Sequence, residues 1–189
     1  MAFVGARHGV VAKMTALGDS TTPPTYDKAV SVGPLNKVDL SSAWNEGELY
    51  GDDVLQENYG EFGKGSATIS STSIPEDAEQ IMDSYTYDEN EDKHLAAPGE
   101  KADYGFAYIS CKRSSGTTRY YCTFVPRLAP KYESETAETQ GGTTTLNPES
   151  IPATWLKAPG LAPKIVSPYF ETETEAIAWR NEKLPMAGG

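Results

Sequence analysis

One segment of the chain places a serine in a setting like that of an enzyme nucleophile. Residues 18–20 read Gly-Asp-Ser, which matches the start of an esterase nucleophile block. Such a serine needs a neighbouring base, usually a histidine that an aspartate orients. The only histidines are His8 and His94, and neither lies in an Asp-x-x-His pattern, because position 91 is Glu. We therefore interpret residues 18–20 as a turn, and we expect no catalytic residue and no enzyme activity.

The patterns that could bind a metal or a cofactor are incomplete. Residues 88–92 resemble the first ligands of a calcium loop, but Lys93 stands where the sharp turn needs glycine, and Gly99 stands where the last carboxylate belongs. Cys111 and Cys122 are too few for a zinc site or a disulfide framework, and we interpret them as reduced core thiols on one sheet face. No phosphate-binding glycine loop is present. We expect no metal and no cofactor.

The composition favours a β-rich chain with an acidic surface. The 189 residues carry a formal net charge of −11, with 27 acidic against 16 basic side chains. Binding of nucleic-acid phosphates needs clustered Lys and Arg, so this balance argues against it. The 13 Pro and 17 Gly indicate frequent turns, and the 11 Tyr favour strands. No run approaches the roughly 20 apolar residues of a membrane helix, and residues 1–15 are too charged for a signal peptide, so we expect no membrane anchor.

Alternation of apolar and polar residues predicts the strands that must position any functional surface. The predicted strands are 5–15, 29–44 with a break at Gly33-Pro34, 66–71, 106–113 and 117–126. His8 lies on the apolar face of the first strand, which suggests a core residue. In the hairpin formed by the last two strands, one face carries Ala107, Ile109, Cys111, Tyr120, Cys122 and Phe124, and the other carries Phe106, Tyr108, Arg119, Tyr121 and Val125. Both faces are bulky, so we expect cover on both sides, which an oligomer provides more easily than a monomer.

Two helices are predicted from capping patterns. Residues 73–76 read Ser-Ile-Pro-Glu and begin an apolar stripe that ends at Tyr85. Residues 172–175 read Thr-Glu-Thr-Glu and precede a possible short helix over 174–183. The acidic residues 85–103 are predicted to form a loop, and 131–147 one more strand with a turn at 141–142.

A long β-hairpin with a projecting tip is predicted over about residues 41–65. This segment mixes acids with apolar residues, and a small domain cannot bury all of them. Apolar side chains on a projecting arm usually need a partner surface. We therefore predict that the arm contacts another subunit through Leu49, Tyr50, Val54, Leu55 and Tyr59.

The order of these parts resembles the major tail protein (tail tube protein) family of siphophages. The resemblance covers roughly residues 29–155. It rests on the sequence LYGDD at 49–53, on the aromatic hairpin around Tyr120-Tyr121, and on ESETAETQ at 133–140 before a polar strand. It implies a mainly β fold, a β-sandwich or barrel with one flanking α-helix, in which residues 1–155 form the tail-tube domain. Residues 156–189 depart from the shortest family members and are treated as a C-terminal extension or arm.

The resemblance also implies a structural virion protein. Such subunits form rings, usually hexameric, that stack into a hollow tail tube, with other tail proteins at the tube ends. DNA passes through without specific binding, and the tail is assembled in the host cytoplasm. We expect acids on the inward strands, including Asp39, Glu46 and Glu48, to line the lumen, where like charge limits adhesion of DNA.

Two alternatives stay open at this point. A tube or ring protein of a contractile tail or of a secretion-type injection machine is expected to have the same kind of fold. A β-sandwich capsid-decoration or binding module belongs to another class, and it predicts exposed aromatic side chains gathered in one pocket.

Overall fold

One antiparallel sheet of nine strands organises the chain. The computed structural model describes residues 2–51, 54–83, 85–88, 93–96, 102–114, 116–131 and 148–186. The strands are β1 (Ala2–Ala16), β2 (Thr25–Tyr26), β3 (Val30–Ser31), β4 (Leu35–Gly51), β5 (Val54–Ser71), β6 (Tyr85–Asp88), β7 (Lys93–Ala96), β8 (Tyr104–Ser114), β9 (Thr117–Pro130), β10 (Glu149–Trp155) and β11 (Ile165–Val166). The helices are α1 (Glu76–Asp83) and α2 (Glu173–Lys183). The predicted mainly β fold with a flanking helix is confirmed.

The sheet has the order β2-β1-β8-β9-β10-β5-β4, with β3 paired to β1 and β11 paired to β9. It curls until β4 returns to β1. At this closure the Val32 N–H donates to the Gly9 carbonyl at 3.0 Å, and a Cβ at Gly9 would lie 2.8 Å from Cδ1 of Leu35. A side chain at position 9 would therefore require the Leu35 side chain to move.

The curled sheet encloses the larger of two apolar cores, and α1 packs into it. Val11, Ile69, Phe106 and Leu128 contribute from four strands, and Ala78 and Met82 from the helix. Spacing of four residues puts Ala78 and Met82 on one helix face, as the sequence predicted. The helix begins at Glu76. The carbonyl of the preceding residue, Pro75, accepts hydrogen bonds from the Ala78 and Glu79 N–H groups at 2.9 and 3.0 Å.

A second core lies on the outer face of β1, β8 and β9. It contains Val10, Ala107 and Phe124, and the partly buried Trp179 of α2 packs against it. The predicted second helix is confirmed together with its capping box. The Thr172 side chain accepts from the Glu175 N–H, and the Glu175 carboxylate accepts from the Thr172 N–H.

The two faces of the β8–β9 hairpin are assigned as predicted. Ala107 pairs with Phe124 and Ile109 with Cys122, while Phe106 pairs with Val125 on the other face. The expectation that both faces are covered is confirmed, but the cover comes from the same chain. The inner face is covered by the curled sheet and α1, and the outer face by the C-terminal segment. Double cover therefore does not by itself require an oligomer.

Residues 156–186 are joined to the sheet by backbone hydrogen bonds. β11 pairs with β9 at Phe124 and Thr123, and Phe170 continues this pairing with Tyr120. β10 pairs with the later part of β9, so two segments share one edge of that strand. The boundary at residue 155 between a tail-tube domain and an extension stays a prediction.

Two local predictions differ from the structure. The predicted loop at 85–103 contains the β6–β7 ladder, in which Tyr85 pairs with Ala96. His8 is not a core residue, because its side chain is 46% exposed. The pairing of β1 with β8 shifts register on both sides of Ala6-Arg7, which breaks the alternation that the prediction used. The predicted strand and turn at 132–147, and residues 89–92 of the calcium-like segment, lie outside the described residues.

Candidate assembly surface

Residues 18–20 form a turn, as the sequence predicted. One carboxylate oxygen of Asp19 accepts hydrogen bonds from the Thr21 N–H, the Thr21 hydroxyl and the Thr22 N–H, each at 2.8 Å. The bonds from Thr21 and Thr22 lower the pKa of Asp19 to about 2, because they favour the charged carboxylate. Asp19 thus has a structural role, and its hydrogen bonds organise the loop around the exposed Ser20.

The two cysteines are buried on the same face of the β8–β9 ladder, as the sequence predicted. Burial raises the pKa of the Cys122 thiol to about 12, which keeps it protonated and poorly nucleophilic. In the described ranges, no group of three or more His, Cys, Asp or Glu side chains could hold a metal ion. No helix in the described part of the chain has the length and apolarity to span a membrane.

The β4–β5 hairpin extends well beyond the strand next to it. Its ladder runs from Leu35↔Ser71 to Gly51↔Val54, whereas β10 pairs with β5 only as far as Gly65. Among the described strands, the part beyond Gly65 therefore pairs only within the hairpin. From Trp44 to Gly51 this outer hairpin spans roughly 23 Å, at about 3.3 Å per residue.

The five residues predicted to contact a neighbouring subunit have backbones on this outer hairpin. In the ladder Leu49 lies opposite Glu57, Tyr50 opposite Leu55, Gly51 opposite Val54, and Gly47 opposite Tyr59. Their side chains lie outside what the structure describes, so their contact with a neighbour stays a prediction.

An aromatic chain leads from the inner core to the base of the outer hairpin. Phe62 packs on Trp155 with ring centroids 5.0 Å apart, and Trp44 meets Phe62 edge-on at 6.2 Å. A Cβ at Gly65 would lie 2.9 Å from the Trp155 ring, so glycine at this position makes room for the row of aromatic rings. Phe62 is 8% exposed and Trp44 is 57% exposed. Alternation with Val38 and Leu40 along the strand predicts that Trp44 is buried. This prediction is wrong, because β10 stops pairing with β5 at Gly65, before the hairpin ends.

β4 is a long strand that ends the described sheet, with no described strand paired to its second edge. β4 has 17 residues, and in the described ranges only β5 pairs with it. Long unpaired edges invite pairing with other chains, and charged side chains discourage it. Lys37 and Asp39 supply such charges near the start of the strand, where their side chains are 67% and 53% exposed.

The three residues predicted to line a lumen lie along β4. The Asp39 carboxylate is 2.6 Å from the Lys37 amine, so its charge is partly offset by a neighbour on the same strand. Glu46 is exposed and lies within the outer hairpin, whereas the Glu48 side chain lies outside what the structure describes. Whether these residues face a lumen stays a prediction.

No protein-family model matches the chain, and no curated protein matches it. Among the described strands, the outer hairpin is the part of the sheet that pairs only within itself.

Proposed function

We propose that the chain is a structural virion protein, the major tail tube subunit of a long-tailed phage, which forms stacked rings around a hollow lumen. The observation that carries the proposal is the outer β4–β5 hairpin. Among the described strands it pairs only within itself, and its base carries Trp44 with 57% of its surface exposed.

Elementary energetics support a partner for this hairpin. An isolated two-stranded ribbon is marginally stable at best in water, because it lacks a second layer or a third strand. Contact with a neighbouring subunit supplies that layer. In a closed ring every copy gives and receives the same contact, so the β4 edges are covered and uncontrolled pairing is limited.

The charge of the chain suits a conduit for DNA. A net charge of −11 leaves few fixed cations to replace the counterions of DNA, so adhesion to the wall is weak. We place Glu46 and Glu48 on the lumen side, with Asp39 as a weaker contributor because Lys37 pairs with it. Reversing all three acids to Lys should slow DNA ejection from reconstituted virions, and unchanged ejection would count against this placement.

The direct test is negative-stain electron microscopy of the purified chain. We expect rings or tubes for the wild type, and dispersed folded monomers for the variant Leu49→Asp, Val54→Asp, Leu55→Asp. A matched control places three Asp residues at exposed positions away from the hairpin, as Thr15→Asp, Thr174→Asp, Ala178→Asp, and it should still assemble.

The result that overturns the proposal is a wild-type chain that stays a dispersed particle at high concentration, which is the behaviour of a capsid-decoration or binding module. Tubes formed by the hairpin variant would show instead that the arm is not the interface. A ring or tube protein of a contractile tail or injection machine would pass the same test, and only the morphology of the parent particle separates it from our proposal.

A further inference from the structure

Three basic side chains crowd the tip of the β8–β9 hairpin. Lys112 and Arg119 lie directly opposite each other in the ladder, and Arg113 follows next to the turn. Like charges in opposite positions destabilise an antiparallel pair. Lys112 is held in place because its amine donates to the Tyr169 hydroxyl at 2.9 Å. Within the described residues, none of the three basic side chains forms an ion pair with a carboxylate.

The first helix carries the opposite charge. Its first turn contains Glu76, Asp77 and Glu79, and its last turn has no basic residue. Glu149 lies beside the helix start, where its carboxylate accepts a hydrogen bond from the Ile74 N–H at 2.7 Å. Asp77, Glu79 and Glu149 are exposed. We call the exposed side of α1 with Glu149 the acidic face, and residues 112, 113 and 119 the basic tip.

The strand directions place the acidic face and the basic tip at opposite ends of the sheet. β10 is antiparallel to both β5 and β9, so β5 and β9 run the same way. β5 ends at Ser71 and leads into α1, whereas β9 begins at Thr117 beside the basic tip. The outer hairpin with its exposed Glu46 lies at the same end as the basic tip, so the opposite charges belong to the basic tip and the acidic face and not to the two ends of the whole molecule.

We propose that the basic tip of one copy docks on the acidic face of α1 in a second copy, head to tail. The proposal deepens the proposed function and rests on it, since it assigns the contact between successive rings of the tube. The two surfaces are complementary in charge and lie at opposite ends. A contact between different patches of identical chains repeats without closing, so it stacks subunits in one direction. The occupant of the basic tip is a second copy because that chain offers the matching acids.

Charge reversal tests the contact. The tip variant Arg113→Glu, Arg119→Glu leaves Lys112 and its bond to Tyr169 in place, and the helix variant is Asp77→Lys, Glu79→Lys. We expect each variant alone to form rings but few tubes, with the critical concentration for tube growth raised by about tenfold or more. Tube growth by the wild type should also weaken as salt is added, because exposed charges are screened.

Mixing the two variants provides the rescue. The acidic tip of one variant then meets the basic helix of the other, and their two unchanged surfaces still match, so an equal mixture should form tubes again. The control Lys28→Glu, Lys164→Glu changes the net charge as much as the tip variant does, at exposed positions elsewhere, and should form tubes like the wild type. Circular dichroism verifies folding, and Arg113→Gln, Arg119→Gln replaces the tip variant if that variant is unfolded.

Each outcome has a distinct meaning. Wild-type tubes, variant rings and rescue by mixing support the head-to-tail contact. Tubes of both variants at the wild-type concentration, or loss of tubes without rescue, overturn this contact and leave the proposed function standing. A wild type that forms neither rings nor tubes overturns the proposed function, and the contact falls with it.

Discussion

Replacing Trp44 with alanine tests whether the base of the outer hairpin is a subunit contact. Within one chain, Trp44 contributes an edge-on contact with Phe62 and an exposed hydrogen bond from its indole N–H to the Ser42 hydroxyl at 3.2 Å. An aromatic pair of this kind contributes about 0.5–1.5 kcal/mol. We therefore expect Trp44→Ala to lower the free energy of unfolding by about 1–2 kcal/mol and to leave the chain folded.

The effect on assembly should be larger. A tryptophan side chain presents roughly 250 Å², and with 57% of Trp44 exposed roughly 140 Å² can be covered by a neighbour. Covering this area would contribute about 3.5 kcal/mol at about 25 cal/mol per Å², as an upper value. That free energy corresponds to a loss of up to roughly 300-fold in the association constant when the side chain is removed.

Sedimentation velocity over a concentration series measures the association, and urea unfolding measures the stability of the monomer. Leu17→Ala serves as a control, because Leu17 is 37% exposed and lies in the loop after β1. Phe62→Ala provides the contrast, since this buried ring should cost about 3–5 kcal/mol of stability. If Trp44→Ala assembles at the same concentration as the wild type, Trp44 is not covered in the assembly and our reasoning about the hairpin base is wrong.

Three further predictions concern the monomer. Thr172→Ala removes the N-terminal cap of α2 and should lower the free energy of unfolding by about 0.5–2 kcal/mol. Thr174→Ala, two residues later at an exposed position, should cost less, and equal losses in urea unfolding would contradict a capping role. Burial and the nearby Glu79 raise the pKa of Asp83 from 3.8 to about 6. The folded state therefore holds this proton more tightly than the unfolded state, and the free energy of unfolding should fall as the pH rises from about 4 to 6. Asp83→Asn should flatten this dependence, and the same pH dependence of the free energy of unfolding in both proteins, measured with urea, would refute it. Burial raises the pKa of Cys122 to about 12, so thiol reagents should modify Cys122 only after unfolding, and rapid labelling of Cys122 in the folded chain of a Cys111→Ser variant would show that this site is open.

Local signals predicted the elements whose geometry is decided locally. The cap of α2 depends on Thr172 and Glu175, three residues apart, and formed as predicted. The register of β8 with β9 follows from the tight turn between Ser114 and Thr117, where Gly116 has a φ of 85°. Once that turn is located, the period of two assigns the residues from Phe106 to Val125 to a face, up to the register shift between Tyr104 and Phe106.

Long-range contacts decided what the sequence could not predict. Which residues of β1 lie on each face depends on its irregular pairing with β8, more than a hundred positions along the chain. The sequence near His8 does not predict this irregularity. The cover of the outer core by α2 joins Arg180 to the His8 carbonyl at 2.8 Å, across most of the chain. The exposure of Trp44 depends on where β10 stops pairing with β5. The proposed assembly surface was therefore found in part: the hairpin was predicted, but its exposed aromatic base was not.

The packing of α2 against the β1 strand has a consequence for biosynthesis. The outer core brings Val10 and Ala29 together with Leu184, so this half of the fold cannot close until residue 184 has been made. At about 5–20 residues per second, a ribosome needs roughly 10–40 s to reach that point. During this interval the apolar side of β1 in the nascent chain has no α2 to cover it. Packing of α2 against β1 is thus the step that ends the period of greatest risk of aggregation for each newly made chain.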